Sequence, residues 1–167
     1  MALPGKTNVT VQADPNANLV AQRLREWNAR AVESVSEFCG EITIAVPREL
    51  IRGAADRCRQ DAVLQFNLLS DIVCVDRFPL EPRFELNYQL TSIPRRDKVR
   101  LRVCLSGDEP VVDSVIAVWP GANWMEREVF DLFGVRFHGH PELRRILLPE
   151  DWEGHPLRKD YPTEGFR

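Results

Sequence analysis

The chain is poor in the residue patterns that carry most chemistry. It has four cysteines among 167 residues, and the nearest two, Cys58 and Cys74, lie sixteen apart. An iron–sulfur cluster is gripped by thiolates from one short loop, as CxxC provides, so no cluster is expected here. Cys39, Cys58, Cys74 and Cys104 sit in apolar patterns and read as reduced core residues. No GxGxxG opens a helix after a strand and no GxxxxGK[ST] is present, which removes the dinucleotide and nucleoside-triphosphate fingerprints. No apolar run approaches about eighteen residues, so no membrane-spanning helix is expected. Lys and Arg number 22 against 25 Asp and Glu, and the net charge of -3 gives no basic field for nucleic acid. The opening MALPGKTNVT lacks a charged-then-apolar leader, which predicts a cytoplasmic chain. The only histidines are His138, His140 and His155; in Gly-rich turns they read as surface groups bonded to neighbours, with a zinc site as the alternative. No nucleophile constellation supports an independent hydrolase.

What is present is enough for one domain, burying roughly two-thirds of its unfolded surface. Residues 1–13 are polar and predicted to be a flexible N-terminus, after which Asp14-Pro15 reads as a helix start. Val20, Leu24, Trp27 and Ala31 follow at helical spacing, and Val35–Phe38 with Ile42, Ile44 and Val46 form a hairpin about Gly40. Pro47 opens a second helix with Leu50, Ile51, Ala54, Ala55 and Cys58 inward, weakened by Gly53. A strand or turn at Leu64–Phe66 and a strand at Ile72–Val75 come next. Phe84, Leu86, Tyr88 and Leu90 then alternate with Glu85, Asn87 and Gln89, and Val99, Leu101, Val103 and Leu105 with Arg100, Arg102 and Cys104. Period two with one polar face means an antiparallel pair covered on one side. The apolar run 111–118 ends in the turn Trp119-Pro120-Gly121. The order implies an α+β fold in two layers, helices on one face of a mixed, largely antiparallel sheet, followed by an extended C-terminal tail.

The stretch from Trp124 to Pro162 is where function can be argued. Trp124, Met125, Val129, Phe130, Leu132 and Phe133 give a wide apolar stripe, with Phe130 and Phe133 as core. Asn123 is the expected N-cap, Glu126 and Glu128 the acidic charges of the first turns, Arg127 and Asp131 an i,i+4 pair, and Gly134 the left-handed stop. Beyond it Gly139, Pro141, Pro149, Gly154, Pro156 and Pro162 forbid a long helix. Yet Ile146, Leu147, Leu148, Trp152, Leu157 and Tyr161 are too apolar for a free tail. Such a segment lies extended over a surface. That surface is its own domain or, as pockets at fixed interfaces favour, a partner. The division expected is 1–13, an α+β domain over 14–134, and a partner-wrapping tail over 135–167.

In EREVFDLFG at 126–134 and PLRKDYP at 156–162 the chain resembles the 30 kDa subunit family of respiratory complex I, the C subunit of NADH-quinone oxidoreductase. The fragment SDIVCVD at 70–76 is similar too. The resemblance implies a non-catalytic subunit of the peripheral arm that braces the quinone-site D subunit and also meets the B and I subunits. It implies FMN, iron–sulfur clusters and quinone in partner chains and none in this one. The complex would pass electrons from NADH to quinone and pump protons, on the cytoplasmic side of the bacterial inner membrane. Carried over by the motif, the partner interface would be Glu126, Arg127, Glu128, Asp131, Arg144, Arg145, Trp152, Leu157, Arg158, Lys159, Asp160 and Tyr161. Direct contact of Asp160-Tyr161 with a quinone headgroup or phosphate is the alternative to an anchor on a neighbouring subunit. The competing assembly is a membrane-bound hydrogenase or ferredoxin-fed relative with an equivalent small subunit.

Overall fold

A computed structural model describes residues 18–164. The expected flexible stretch 1–13 and the Asp14-Pro15 helix start lie outside the described residues. The first described helix, α1 (Leu19–Trp27), is capped by Asn18, whose Oδ1 accepts the Ala21 amide at 3.1 Å. Its Val20, Ala21 and Leu24 are buried. Trp27, at its end, spreads over helix α2 (Ile51–Gln60) at Gly53, where a methyl group would stand 2.5 Å from the ring. Gly53 is therefore more than a weak helix residue: it makes room for the indole.

Strands β1 (Ser34–Phe38) and β2 (Glu41–Ala45) form the hairpin about Gly40. A 3-10 turn at Arg48–Leu50 leads from Pro47 into α2, whose Ile51, Ala54, Ala55 and Cys58 face inward. Leu64 and Phe66 are buried in a turn, and the strand expected at Ile72–Val75 is longer, β3 (Leu68–Asp76), with an irregularity between Leu69 and Asp71. That irregularity breaks the alternation at its start and hides the first half of the strand from a period-two reading. Strands β4 (Phe84–Ser92) and β5 (Asp97–Leu105) pair antiparallel in full register from Phe84↔Leu105 to Ser92↔Asp97.

The five-stranded sheet runs β1-β2-β5-β4-β3, parallel only between β2 and β5. Helices cover one face, over a core of Phe84, Leu86, Tyr88, Leu90, Leu101 and Val103. The two-layer α+β expectation holds. The domain end at Gly134 does not. Strand β6 (Val111–Asp113) is joined in parallel by β7 (Arg136–His138), on the far side of helix α3 (Ala122–Phe133). Val135 and Phe137 are core residues, so the body runs to His138.

Candidate functional site

Helix α3 begins at Ala122 after Gly121, so Asn123 lies inside it and is not its cap. The inward face is Ala122, Glu126 and Val129, with Met125 and Phe133 packed against the core. Trp124 is 59% exposed, and Phe130 is half-buried rather than core. The helix stops at Gly134, left-handed at φ 76°, whose amide bonds the Phe130 carbonyl at 2.9 Å. A Cβ there would sit 2.6 Å from the His155 ring, so this glycine serves the close approach as well as the turn. The His155 ring lies edge-on to Phe130, centroids 6.0 Å apart, with Nδ1 2.9 Å from the Asp131 carbonyl oxygen.

Asp131 is the hub on which the following segment hangs. It is wholly buried. Its Oδ2 accepts the amides of Ile146, Leu147 and Leu148 at 3.0, 2.8 and 2.9 Å, and its Oδ1 the Arg145 guanidinium at 2.6 Å. Arg145 continues to the carbonyls of Trp152 at 2.8 Å and Gly154 at 2.9 Å. Arg127 does not pair with Asp131 as i,i+4 spacing suggests; it donates to the carbonyls of Arg144 and Arg145. Leu157 N–H closes the segment on the Leu132 carbonyl at 3.1 Å. Burial acts upward on the Asp131 carboxyl, but the Leu148 amide, Arg145 and the Leu147 and Ile146 amides outweigh it and hold it below the usual carboxylate range.

A second fastening joins the end of the segment to the sheet. At the end of β3, Asp76 Oδ1 accepts Arg83 Nε and the Phe78 amide, each at 2.9 Å. Its Oδ2 accepts Arg83 Nη2 and the Lys159 amide, each at 2.8 Å. The same guanidinium grips Asp160 bidentately at 2.8 and 2.6 Å, and it stacks between Phe78 and Phe84, 5.0 Å from each ring. Against the upward effect of burial, Arg83 and the Lys159 and Phe78 amides hold Asp76 well below its ordinary value. Arg83, bonded to Asp160 and then Asp76, lowers Asp160 in turn and is itself raised.

The twelve expected interface residues thus divide. Glu126 and Asp131 are buried and bound inside their own chain, and Glu126 is a core group rather than a capping charge. Arg127 and Arg145 are spent on the segment's backbone. Asp160 is held by Arg83, Lys159 is fixed through its amide, and the Tyr161 hydroxyl donates to the Glu153 carbonyl at 3.3 Å. Glu128 and Arg144 face solvent, Arg144 with Glu142 at 3.1 Å. Trp152 and Leu157 keep their side chains outward, 41% and 50% exposed, with Leu147 at 62%. Arg158 lies over Phe84 at 5.1 Å, its Nε enclosed without a hydrogen-bond partner, and it makes no ion pair among the described residues. Sequence reasoning missed Asp76 and Arg83, and also the exposed Phe78 and Leu80 between them, because the tie to Asp160 spans 77 residues.

The three histidines go to three places. His138 Nδ1 is 3.1 Å from Asp113, His140 Nε2 3.4 Å from the Asn123 carbonyl, and His155 packs under Gly134. Among the described residues no three of His, Cys, Asp or Glu converge as metal ligands, and no helix is long and apolar enough to cross a membrane.

The fold and these fastenings define a class: a small α+β protein whose C-terminal segment is strapped across its own helix with apolar side chains turned out. Within that class, a family model described as "Respiratory-chain NADH dehydrogenase, 30 Kd subunit" matches residues 44–167, and the chain belongs to that family. It is 47% identical over 150 residues to the NADH-quinone oxidoreductase C subunit of Geobacter sulfurreducens, covering 89% of this chain and 91% of that one. To the C subunit of a Roseiflexus species it is 47% identical over 143 residues, covering 86% and 82%. A solved trypsin-resistant fragment of Nqo5 superimposes with a TM-score of 0.64 at 31% identity, over 75% of this chain and all of that one. The fold recurs in a membrane-bound sulfane sulfur reductase, an archaeal respiratory membrane complex, with a TM-score of 0.71 at 24% identity over 86% and 84%.

Proposed function

We propose that the chain is the C subunit of an NADH-quinone oxidoreductase, a non-catalytic brace of the peripheral arm. It seats the quinone-site D subunit and borders the B and I subunits. FMN, iron–sulfur clusters and quinone belong to those and other partner chains, which carry electrons from NADH to quinone and couple the transfer to proton pumping. The complex lies at the cytoplasmic side of the bacterial inner membrane, with this chain peripheral.

The observation that carries this reading is the fastened segment with outward anchors. Leu147, Trp152 and Leu157, with Phe78 and Leu80 from the β3–β4 connection, put apolar area into solvent from a backbone that is already fixed. A backbone held in place before contact loses less entropy on binding, which suits a permanent interface. Arg158 adds a cation on a phenyl ring with no ion partner among the described residues, matched to a carboxylate across the interface.

Affinity purification of the tagged chain from its own cells, with identification of what comes with it, tests the reading. Flavin- and NADH-binding subunits are expected, together with the D subunit. A nickel-binding large subunit, or a particle without flavin, would overturn it in favour of the hydrogenase-type relative.

A further inference from the structure

Glu126 lies midway along α3 on the inward face, between Ala122 and Val129, and none of it reaches solvent (0% exposed). A carboxylate so placed ordinarily has a cation beside it. None is there. Oε2 meets the Ser114 hydroxyl at 2.6 Å and Oε1 accepts the Val115 amide at 2.7 Å, both from the segment leaving β6. The Tyr88 hydroxyl from β4, buried without a partner, feels the Glu126 charge, as it does Cys74 from β3 and Asp113 from β6. Among the described residues, the groups whose charge bears on the Tyr88 hydroxyl, Glu126, Cys74 and Asp113, are all acids. A hydroxyl both donates and accepts, so the short contact to Ser114 closes whichever oxygen carries the proton.

We propose that Glu126 reversibly binds a proton inside the fold, and that its ionisation, which leaves a charge in the core with no cation beside it among the described residues, weakens the seat of α3. Burial pushes its carboxyl up to about 7, against the opposing pull of the Ser114 and Val115 bonds. α3 also carries Asp131 and Arg127, from which residues 144–148 hang, so the hold of the helix reaches the outward segment. This proton site is a property of the chain alone and does not depend on which partners the chain meets.

The sign is opposite to that of an ordinary paired carboxylate. A folded-state value above 4.5 means that the native chain holds this proton more tightly than the unfolded chain does. The stability it contributes is whole below pH 4.5 and is lost as pH rises through about 7. His140 and His155, whose values burial lowers, act the other way in part of this window. The informative quantity is therefore the difference between the wild-type chain and Glu126→Gln, which mimics the neutral acid.

Urea unfolding of the full chain at about pH 5 and about pH 8 should show the wild-type folding constant falling, relative to Glu126→Gln, on the order of tenfold to a hundredfold. Carbon-13 labelling of the glutamate carboxyl groups in the wild-type chain should show one resonance titrating with a midpoint of about 7. The labelling experiment decides by itself if the variant does not fold. All glutamates titrating near the ordinary 4.5, or an equal wild-type-to-variant ratio at both pH values, would overturn the proposal.

Discussion

The two fastenings of the C-terminal segment use the same kind of group, a buried aspartate, for different purposes. Asp131 holds backbone only 15 to 17 residues away, and three of its partners are neutral amides. Arg83 holds Asp160, 77 positions distant, through paired charges, and Asp76 holds the Lys159 amide, 83 positions distant. The side chains of Asp131, Asp76 and Arg83 are 0%, 2% and 9% exposed, and that of Asp160 is 44%. The first fastening is part of the folding unit, and the second is an outer clip whose last contact faces water. Strength should fall from Asp131 outward to Asp160 and Arg158, and each step can be measured.

The largest effect is expected at Asp131. Asp131→Ala strands three amides and the Arg145 guanidinium, whose loss of a buried partner costs about 3–5 kcal/mol. Urea unfolding of the isolated chain gives the value, and limited proteolysis should cut within 146–157. A chain as stable as wild type would show that the Asp131 hub is not part of the fold.

Arg83→Met comes next. It leaves Asp76 buried, but the Phe78 and Lys159 amides still serve it, so the loss should be smaller, about 2–4 kcal/mol. A loss exceeding that of Asp131→Ala would reverse the ranking of the two fastenings.

Asp160→Asn should cost about 0.5–1.5 kcal/mol, and less in high salt, because a half-exposed charge is screened. The pH dependence separates these aspartates from Glu126. Their folded values are lowered, so the stability they give is present above the ordinary 3.8 and is lost as pH falls through the folded value. A wild-type-to-Asp160→Asn difference that is unchanged by salt would mean that the clip is as enclosed as the hub.

How much of this the sequence reveals depends on distance and on charge. The alternation at Phe84–Leu90 and Val99–Leu105, the inward face of α2 and the stop at Gly134 are all local, and each is found where expected. β7 is hidden because its partner β6 lies 25 residues earlier and both are three residues long. In α3 the spacing Ala122, Glu126, Val129 is that of a core face, but a glutamate in it reads as surface. The wide apolar stripe points instead to Trp124 and Phe130, which lie toward solvent and the segment. The segment reads as one that lies over a surface. Its backbone lies on its own domain, and the pairing of Asp131 with 146–148 and of Arg83 with Asp160 leaves no periodic trace.

The smallest effect on the isolated chain is expected at Arg158, and it separates fastening from docking. Its guanidinium rests on Phe84 and shares that ring with Arg83, yet it makes no ion pair among the described residues. Removing it forfeits a cation–π contact of about 0.5–1 kcal/mol. Arg158→Ala should therefore leave the free chain within about 1 kcal/mol of wild type. If Arg158 docks as proposed, the same change in the assembled particle would remove a charge from a desolvated pair, and losing one partner of such a pair costs several kcal/mol. Co-purification with the neighbouring subunits should drop sharply, and Arg158→Lys should recover it only in part, since an ammonium lacks the planar fork. Trp152→Ala, which removes an exposed anchor and no charge, should lower recovery of the particle while leaving free-chain unfolding unchanged. If Arg158→Ala destabilises the free chain as much as Arg83→Met does, Arg158 belongs to the clip. If it changes neither stability nor co-purification, the partner carboxylate does not exist.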